Sequence, residues 1–222
     1  MDISKNEVLR YLGYRNQNID EKLHGLIDST IDEIKAIAMP LFTYKLFDVE
    51  VLEEEVRLIG CNLSLKGKAI ARQLRYSEKC AVMAVTIGAA VDNNIRYLGK
   101  MNNTKAVIAD ACGTEAVESL CNEAEAEVKK LAEKEGLQLI PRYSPGYGDF
   151  ALDIQPKLLR ILNAEVCIGL TCTENFILLP RKSVTAIIGF TKDKANNTAK
   201  SCDQCSATKS CLYRREGNSC GI

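Results

Sequence analysis

Apolar residues along the chain recur at two spacings, which predict two kinds of element. A repeat every three or four positions is typical of a helix with one buried face, whereas alternation or a short apolar run is typical of a strand. The first spacing predicts helices over residues 4–12, 20–39, 64–74, 89–98, 105–135 and 155–162. The second predicts strands over residues 42–51, 56–63, 80–86, 166–171, 176–179 and 184–190.

The ends of these predicted helices carry recognisable signals. Ser4 and Glu7 have the spacing of a capping box, and Asp20 is placed to cap the second helix. Ser64 is placed to cap the third helix, and Gly136 to close the long one. The long helix has one small, apolar side, which we expect to pack inward, while we expect its other side to be solvated. That second side carries the acidic residues Glu115, Glu118, Glu123, Glu125 and Glu127.

The order of the predicted elements indicates the fold class. Most strands are not separated by single helices, which favours an α+β fold, with a twisted and mainly antiparallel sheet and flanking helices, over a doubly wound one. The composition changes near Lys192, after which Lys, Asn, Ser and Cys replace the aliphatic residues. We therefore predict one domain over residues 1–192 and a cysteine-rich tail over residues 193–222.

Composition and charge narrow the possible functions. The 222 residues are 46% hydrophobic and 26% charged, as in a globular protein with a sizeable core. The formal net charge is zero, which gives no indication of nucleic-acid binding. The most apolar stretch, residues 80–91, is too short to cross a bilayer, and the first residues lack the apolar region of a signal peptide. We expect a cytoplasmic protein with no membrane partner.

The loop over residues 141–148 brings unusual chemistry together. Arg142 supplies a forked cation suited to a carboxylate. Pro145 and Gly146 predict a sharp turn where a ligand can approach the backbone, and Tyr147 adds a flat ring with a hydroxyl. These features suit a ligand that has an amino-acid group and a ring. The alternative is a surface turn with an ordinary arginine.

Two motifs resemble a known family. The run Arg142-Tyr143-Ser144-Pro145-Gly146-Tyr147 is similar to the Arg-x-x-Pro-Gly-Tyr signature of the C-terminal activation domain of cobalamin-dependent methionine synthase. Residues 170–176, then Pro180 and residues 183–185, resemble the second segment of that family. Residues 113–120 are similar to the helix before the signature. The resemblance covers residues 106–190, and residues 10–14 match short stand-alone relatives more loosely.

The resemblance implies an activation-domain-like fold that binds S-adenosylmethionine. Arg142 would hold the carboxylate of the ligand, and the backbone at Ser144 would face its adenosyl part. Pro145 and Gly146 would shape the approach to the site, and Tyr147 would help to aim the methyl group. The resemblance also implies an acidic residue that would face the ammonium or the sulfonium. That residue would be Glu118, with Glu115 as the alternative.

The chain departs from the family in ways that limit its role. The family's early Asp and late Tyr have no clear counterpart, since Asp20 and Asp48 are poor matches in context. There is no Asp-x-His-x-x-Gly run to bind cobalt, and a complete methyltransferase would not fit in this length. The resemblance therefore implies a reactivation subunit that acts on cobalamin bound to a separate methionine synthase. The electron would come from a donor such as a flavodoxin or a ferredoxin.

The cysteines divide into two groups. Four of them, Cys202, Cys205, Cys211 and Cys220, lie in the polar tail and predict a metal site that holds zinc or an iron–sulfur cluster. The alternative is four free thiols. The other six are interpreted as small core residues: Cys61, Cys80, Cys112, Cys121, Cys167 and Cys172.

Two other functions remain open at this stage. One is a metal-cluster-bearing electron-transfer or corrinoid-activating protein that uses the four tail cysteines. The other is a binding module that only senses S-adenosylmethionine.

Overall fold

The computed structural model describes residues 1–14 and 17–192. Its α-helices are α1 Lys5–Tyr11, α2 Glu21–Ile37, α3 Lys68–Gln73, α4 Ala89–Met101, α5 Asn103–Lys134, α6 Gln155–Leu162 and α7 Ala164–Ile168. Its strands are β1 Leu41–Val51, β2 Glu55–Leu58, β3 Leu63–Lys66, β4 Lys79–Thr86, β5 Gln138–Leu139, β6 Thr171–Cys172, β7 Leu178–Leu179 and β8 Ser183–Thr191. A single 3₁₀ turn, Leu152–Ile154, precedes α6.

The strands form one six-stranded sheet and one small hairpin. The sheet has the order β3-β2-β1-β4-β8-β5, and all its neighbouring strands are antiparallel. Strands β6 and β7 pair separately as the hairpin. The predicted α+β class with a mainly antiparallel sheet is therefore confirmed.

The sheet separates two apolar cores, and β4 contributes to both. Ala81, Met83 and Val85 face the core that includes α2 and α5. Cys80, Val82 and Ala84 face the core on the other side, which includes α3, α6 and α7. Because β4 is buried on both faces, its sequence is a continuous apolar run rather than an alternating one.

Two predicted strands are wrong in form. Residues 56–63 are not one strand but the end of β2, a turn and the start of β3, and residues 64–66 belong to β3 rather than to a helix. Each strand buries alternate residues, Val56 and Leu58 in β2 and Leu63 and Leu65 in β3. The turn between them also carries the apolar residues Ile59 and Cys61, which hide the break in the sequence pattern. Residues 166–168 belong to α7, in which Ala164 and Ile168 are buried at helical spacing.

Helix α3 begins at Lys68, and its N-cap residue is Gly67 rather than Ser64. Gly67 has φ +134°, and a Cβ there would lie 3.0 Å from both the carbonyl oxygen and the Oδ1 atom of Asp149. The carboxylate of Asp149 accepts hydrogen bonds from the N–H groups of Lys68 and Ala69, both at 2.8 Å. These bonds lower the pKa of Asp149. The cap of α3 therefore comes from a residue that is distant in sequence, which helical spacing does not reveal.

The tail lies outside the described residues, so the boundary near residue 192 stays a prediction. The same holds for the tail metal ligands Cys202, Cys205, Cys211 and Cys220. Across residues 1–14 and 17–192, every helix is too short or too polar to cross a membrane.

Of the three predicted N-terminal caps, Ser4, Asp20 and Ser64, only Asp20 forms as expected. Asp20 accepts a hydrogen bond from the N–H of Leu23 at 2.7 Å. Ser4 makes no side-chain cap, and Glu7 instead pairs with Arg10 at 2.6 Å. The predicted capping box is therefore wrong.

We predict that Asp20→Ala lowers the free energy of unfolding by about 1 kcal/mol, because the N–H of Leu23 in the first turn loses its side-chain acceptor. Ser4→Ala is the matched control, since Ser4 caps no N–H group through its side chain. Urea denaturation of both variants measures the difference. An equal loss in the two variants would contradict the assignment of the cap.

Candidate functional site

The loop over residues 141–150 is held against the sheet by backbone hydrogen bonds. Tyr143 and Ile187 of β8 exchange two N–H···O bonds, each 2.9 Å long. The side-chain amide of Gln73 donates to the carbonyl of Pro141 at 2.8 Å. The loop is therefore fixed between β8 and α3.

The second half of the loop is a tight turn. The N–H of Gly146 donates to the carbonyl of Phe150 at 2.7 Å, and the N–H of Phe150 donates to the carbonyl of Tyr147 at 3.1 Å. Gly148 has φ +57°, and a Cβ there would lie 2.9 Å from the Cβ of Ala69. Pro145 is buried beneath this turn, whereas Gly146, Tyr147 and Gly148 are exposed. The turn thus presents backbone and one ring to solvent, as the sequence predicts.

Arg142 lies against the acidic side of α5. Its Nη2 atom is 2.8 Å from Oε2 of Glu118, and its Nη1 atom is 2.8 Å from Oε2 of Glu125. Nη1 also donates to Oδ1 of Asn122 at 2.8 Å. The Arg142 side chain is 24% exposed, so these charges meet at the protein surface under partial cover. The structure therefore brings together Arg142 and Glu118, two of the predicted site residues.

Glu125 and Asn122 were not predicted as site residues. With Glu118 they lie three or four positions apart on α5, so all three side chains share one stripe of the helix. The spacing of these three residues is visible in the sequence, which also shows that they lie on the helix that precedes the Arg142 loop. The sequence does not show which side of α5 faces that loop, because this depends on how the helix packs.

Glu115, the alternative to Glu118, occupies a different environment. It is only 9% exposed, which corrects the prediction of a solvated position. The backbone N–H of Ser4 donates to its Oε1 atom at 3.4 Å, where α1 covers α5. Burial raises the pKa of Glu115, and the neighbouring Glu7 and Glu118 add to the increase. Of the two glutamates, Glu118 is the one that contacts Arg142.

Tyr147 extends the site along the surface. Its ring packs against that of Tyr143, with the ring centroids 5.9 Å apart, and it is 50% exposed. Tyr143 stacks in turn on the buried Phe150, at 6.3 Å between centroids. The exposed ring of Tyr147 is thus supported by a row of aromatic side chains that leads into the core.

The second motif meets the first at β8. Residues 183–185 begin this strand, and Tyr143 bonds to its middle at Ile187. The hydroxyl of Thr185 donates to the buried side-chain oxygen of Gln155 at 2.7 Å. The two motifs are therefore joined through one strand, although the first ends at residue 147 and the part of the second that lies on β8 begins at residue 183.

Two cavities lie away from the Arg142 loop. One, of about 690 Å³, lies between α4 and the connection from β7 to β8, where Asp92, Arg96, Arg181 and Lys182 line it. The other, of about 570 Å³, lies beside α1 and is lined in part by His24. Neither of these two cavities includes a residue of the 142–147 loop.

Three of the six cysteines outside the tail are core residues, as predicted. Burial raises the pKa of Cys80, Cys112 and Cys121 to about 12, so their thiols stay neutral. Cys61 and Cys172 are half-buried, and Cys167 is exposed, which contradicts the core interpretation for that residue. The side chains described up to residue 192 contain no cluster of three or more potential metal ligands.

Comparison with known proteins agrees with the fold. The six-stranded antiparallel sheet with helices on both faces belongs to the α+β class and has a counterpart among solved structures. That structure is the crystal structure of the MetH reactivation domain bound to AdoHcy, with a TM-score of 0.66 and 15% sequence identity. The similarity covers 98% of this chain and 82% of the other. No protein-family model and no curated protein matches the sequence.

We predict that Glu115→Gln stabilises the protein at neutral pH. Because the folded-state pKa of Glu115 is raised, its contribution to stability is fully present below the unfolded-state pKa. It is lost as the pH rises through the folded-state pKa. The neutral amide avoids this loss, so the melting temperature at pH 7 rises by roughly 2 °C.

The control is Glu127→Gln, which removes a charge from an exposed position on the same helix. Thermal unfolding between pH 4 and pH 8 measures both variants, and roughly equal curves for wild type and Glu115→Gln across that range would contradict the assignment of a buried, destabilising carboxylate.

Proposed function

We propose that this chain binds S-adenosylmethionine at the Arg142 loop and supports the reductive methylation of cobalamin bound to a separate methionine synthase. The observation that carries the proposal is the charge cluster of Arg142, Glu118 and Glu125, in a fold similar to that of the MetH reactivation domain. The AdoHcy in that neighbour is the product that S-adenosylmethionine gives when it loses its methyl group. The motif resemblance in residues 106–190 points to the same class of protein.

The charge cluster suits an amino-acid group by exchange of ion pairs. Arg142 already contacts two carboxylates, so a ligand carboxylate must displace one of them. An amino-acid group also carries an ammonium, which pairs with the glutamate that it displaces. No charge is then left without a partner, which keeps the cost of opening the site low. In our proposal Glu118 is the glutamate that takes this role.

The net charge of the cluster favours S-adenosylmethionine over its product. Glu118 and Glu125 carry two negative charges against the one positive charge of Arg142. S-adenosylmethionine has an additional positive charge on its sulfonium, whereas the product thioether has none. Partly covered charges of opposite sign attract more strongly than exposed ones. The cluster thus supports binding of S-adenosylmethionine before methyl transfer and release of the thioether product after it.

The remaining loop residues have roles that match their exposure. Gly146 is exposed and has no side chain to block a ligand, while its N–H is held by Phe150. Ser144 and Pro145 fix the turn that presents it. The half-exposed ring of Tyr147 offers a flat surface beside the ligand. When bound, the sulfonium supplies an electrophilic methyl group to the reduced cobalt of the partner. The residues of this chain bind and aim that group on an open face that the partner can reach.

We predict that Arg142→Ala weakens S-adenosylmethionine binding at least tenfold, because a charged bidentate contact is worth about 1.5–3 kcal/mol. Arg142→Lys, which retains the charge without the fork, is expected to fall between wild type and alanine. Isothermal titration calorimetry measures the affinities. Arg160→Ala, an exposed arginine on α6, is the control. Unchanged affinity in a folded Arg142→Ala variant would refute the proposed site.

A second experiment tests reactivation itself. A cobalamin-dependent methionine synthase that lacks an activation domain of its own is brought to the inactive Co(II) state. It is then incubated with reductant, a flavodoxin or ferredoxin and S-adenosylmethionine, with or without this protein. We expect recovery of methionine synthesis only when the protein is present, and less recovery with Arg142→Ala. Tight ligand binding without any recovery would instead identify a sensing module.

A further inference from the structure

One part of the sheet has an edge without a neighbouring strand. β1 pairs with β4 over residues 41–48, but it pairs with β2 only over residues 49–51. Along residues 41–47, the edge of β1 that faces away from β4 meets no other strand in the described part of the chain. Such an edge is a template for pairing with another chain.

The backbone groups at this edge can be assigned residue by residue. The N–H of Val49 donates to the carbonyl of Glu78, beside β4, at 3.1 Å. The backbone N–H and C=O groups of the odd-numbered residues of β1 therefore point towards β4. The N–H of Ile59 donates to the carbonyl of Asp48 at 2.8 Å, so the backbone N–H and C=O groups of the even-numbered residues point towards the opposite edge of β1. The backbone N–H and C=O groups that point out from this edge are therefore those of Phe42, Tyr44 and Leu46. Within residues 1–14 and 17–192, none of these groups has a hydrogen-bond partner.

We propose that this edge pairs with the same edge of a second copy of the chain. The two β1 strands would run antiparallel about a two-fold axis at Tyr44. Phe42 then lies opposite Leu46 of the second copy, and the two Tyr44 residues lie opposite each other. Each such pair exchanges two N–H···O bonds, so every outward group of the three residues is satisfied. A two-fold contact of this kind is self-complementary and closed.

The neighbouring registers are worse for identifiable reasons. An axis at Lys45 places the two lysines opposite each other and brings Phe42 against Asp48, whose carbonyl already accepts from Ile59. An axis at Thr43 places Leu46 opposite Pro40, which has no N–H to donate. Only the axis at Tyr44 joins all three outward residues and keeps like charges apart.

The side chains along this edge are also suited to burial. Leu41 is 42% exposed and Leu46 is 38% exposed. In the proposed register Leu46 meets Phe42 of the second copy, and Leu41 meets its Phe47. Lys45, which meets Thr43, is the only charged residue between 41 and 47, so the edge has little of the charge that keeps free edges apart.

The apolar contact continues at the two ends of the pairing. Ile59, which is 51% exposed, lies beside Asp48 at one end of the open edge. Met39, which is 62% exposed, precedes Pro40 at the other end. The two-fold axis brings Ile59 of one copy towards Met39 of the other. A second copy therefore covers four exposed apolar side chains that the fold of one chain leaves in water.

Sedimentation velocity of the full chain in reducing buffer tests the proposal. The reductant removes any contribution of disulfide bonds between copies. We expect a species of twice the 24.5 kDa mass of the chain, in reversible equilibrium with monomer. A monomer at every accessible concentration would overturn the proposal, including the case in which a strand of another protein is the true occupant.

Variants at the edge test the contact itself. Leu46→Pro removes one outward N–H, and proline is tolerated on an edge strand when its nitrogen faces outward. We expect a folded monomer, whereas the matched control Leu46→Val, which retains the N–H, still forms the dimer. Circular dichroism confirms that both variants fold. A dimer of unchanged stability in Leu46→Pro would overturn the proposal.

A charge pair at one position tests the register independently. In the proposed register Thr43 faces Lys45 of the second copy twice per dimer. Thr43→Lys is therefore expected to raise the dissociation constant roughly fivefold, and Thr43→Glu to lower it. Equal dissociation constants for these two variants would refute the register.

Discussion

The close approach of α5 to the sheet is the constraint on which the rest of the structure depends. This helix has 32 residues and packs against α1, α2 and α4 as well as β4, β5 and β8. Its buried face is made of small residues such as Ala109, Cys112 and Ala116. At Gly113 a Cβ would already be 3.3 Å from the side chains of Lys182 and Val91. Larger side chains on this face would lift the helix off both of its neighbouring layers.

This packing also fixes the direction of the acidic stripe. Once the small face of α5 lies on the sheet, Glu118 and Glu125 emerge at the edge where the loop after β5 returns to β8. Arg142 meets them there because Tyr143, the next residue, is bonded to Ile187. The packing of α5 on the sheet thus determines the geometry of both the core and the candidate site. A change on the buried face of α5 would move the charges on its exposed face.

The sequence was sufficient to predict the helices and strands whose apolar residues follow one clear pattern. β4, α5 and α6 were predicted nearly to the residue, because apolar run, helical repeat and proline start all agreed. It was insufficient where a feature depended on a distant partner. The cap of α3 by Asp149 and the burial of Glu115 under α1 are both contacts across the fold, and local spacing carries no record of them.

In the candidate site, too, some features could be predicted from local sequence and others depended on distant contacts. Arg142 and the turn at Gly146 were recognisable from residue types, because forked cations and glycines have few substitutes in those roles. The partners Glu125 and Asn122 were visible only as part of a charged helix face, which has many equivalent members. Choosing among them required the rotation of α5 about its axis. The resemblance to a family narrowed the choice to Glu118 or Glu115, and of these two Glu118 is the one that contacts Arg142.

The order of the strands has a consequence for how the proposed dimer and the proposed ligand site coexist. The Arg142 loop is attached to β8, whereas the open edge belongs to β1, and β4 lies between these two strands. A second copy on β1 therefore occupies the side of the sheet away from the loop. Each loop would still face solvent, free to meet a large partner. Dimerisation and partner binding then use separate surfaces, so that a loss of one does not by itself require a loss of the other.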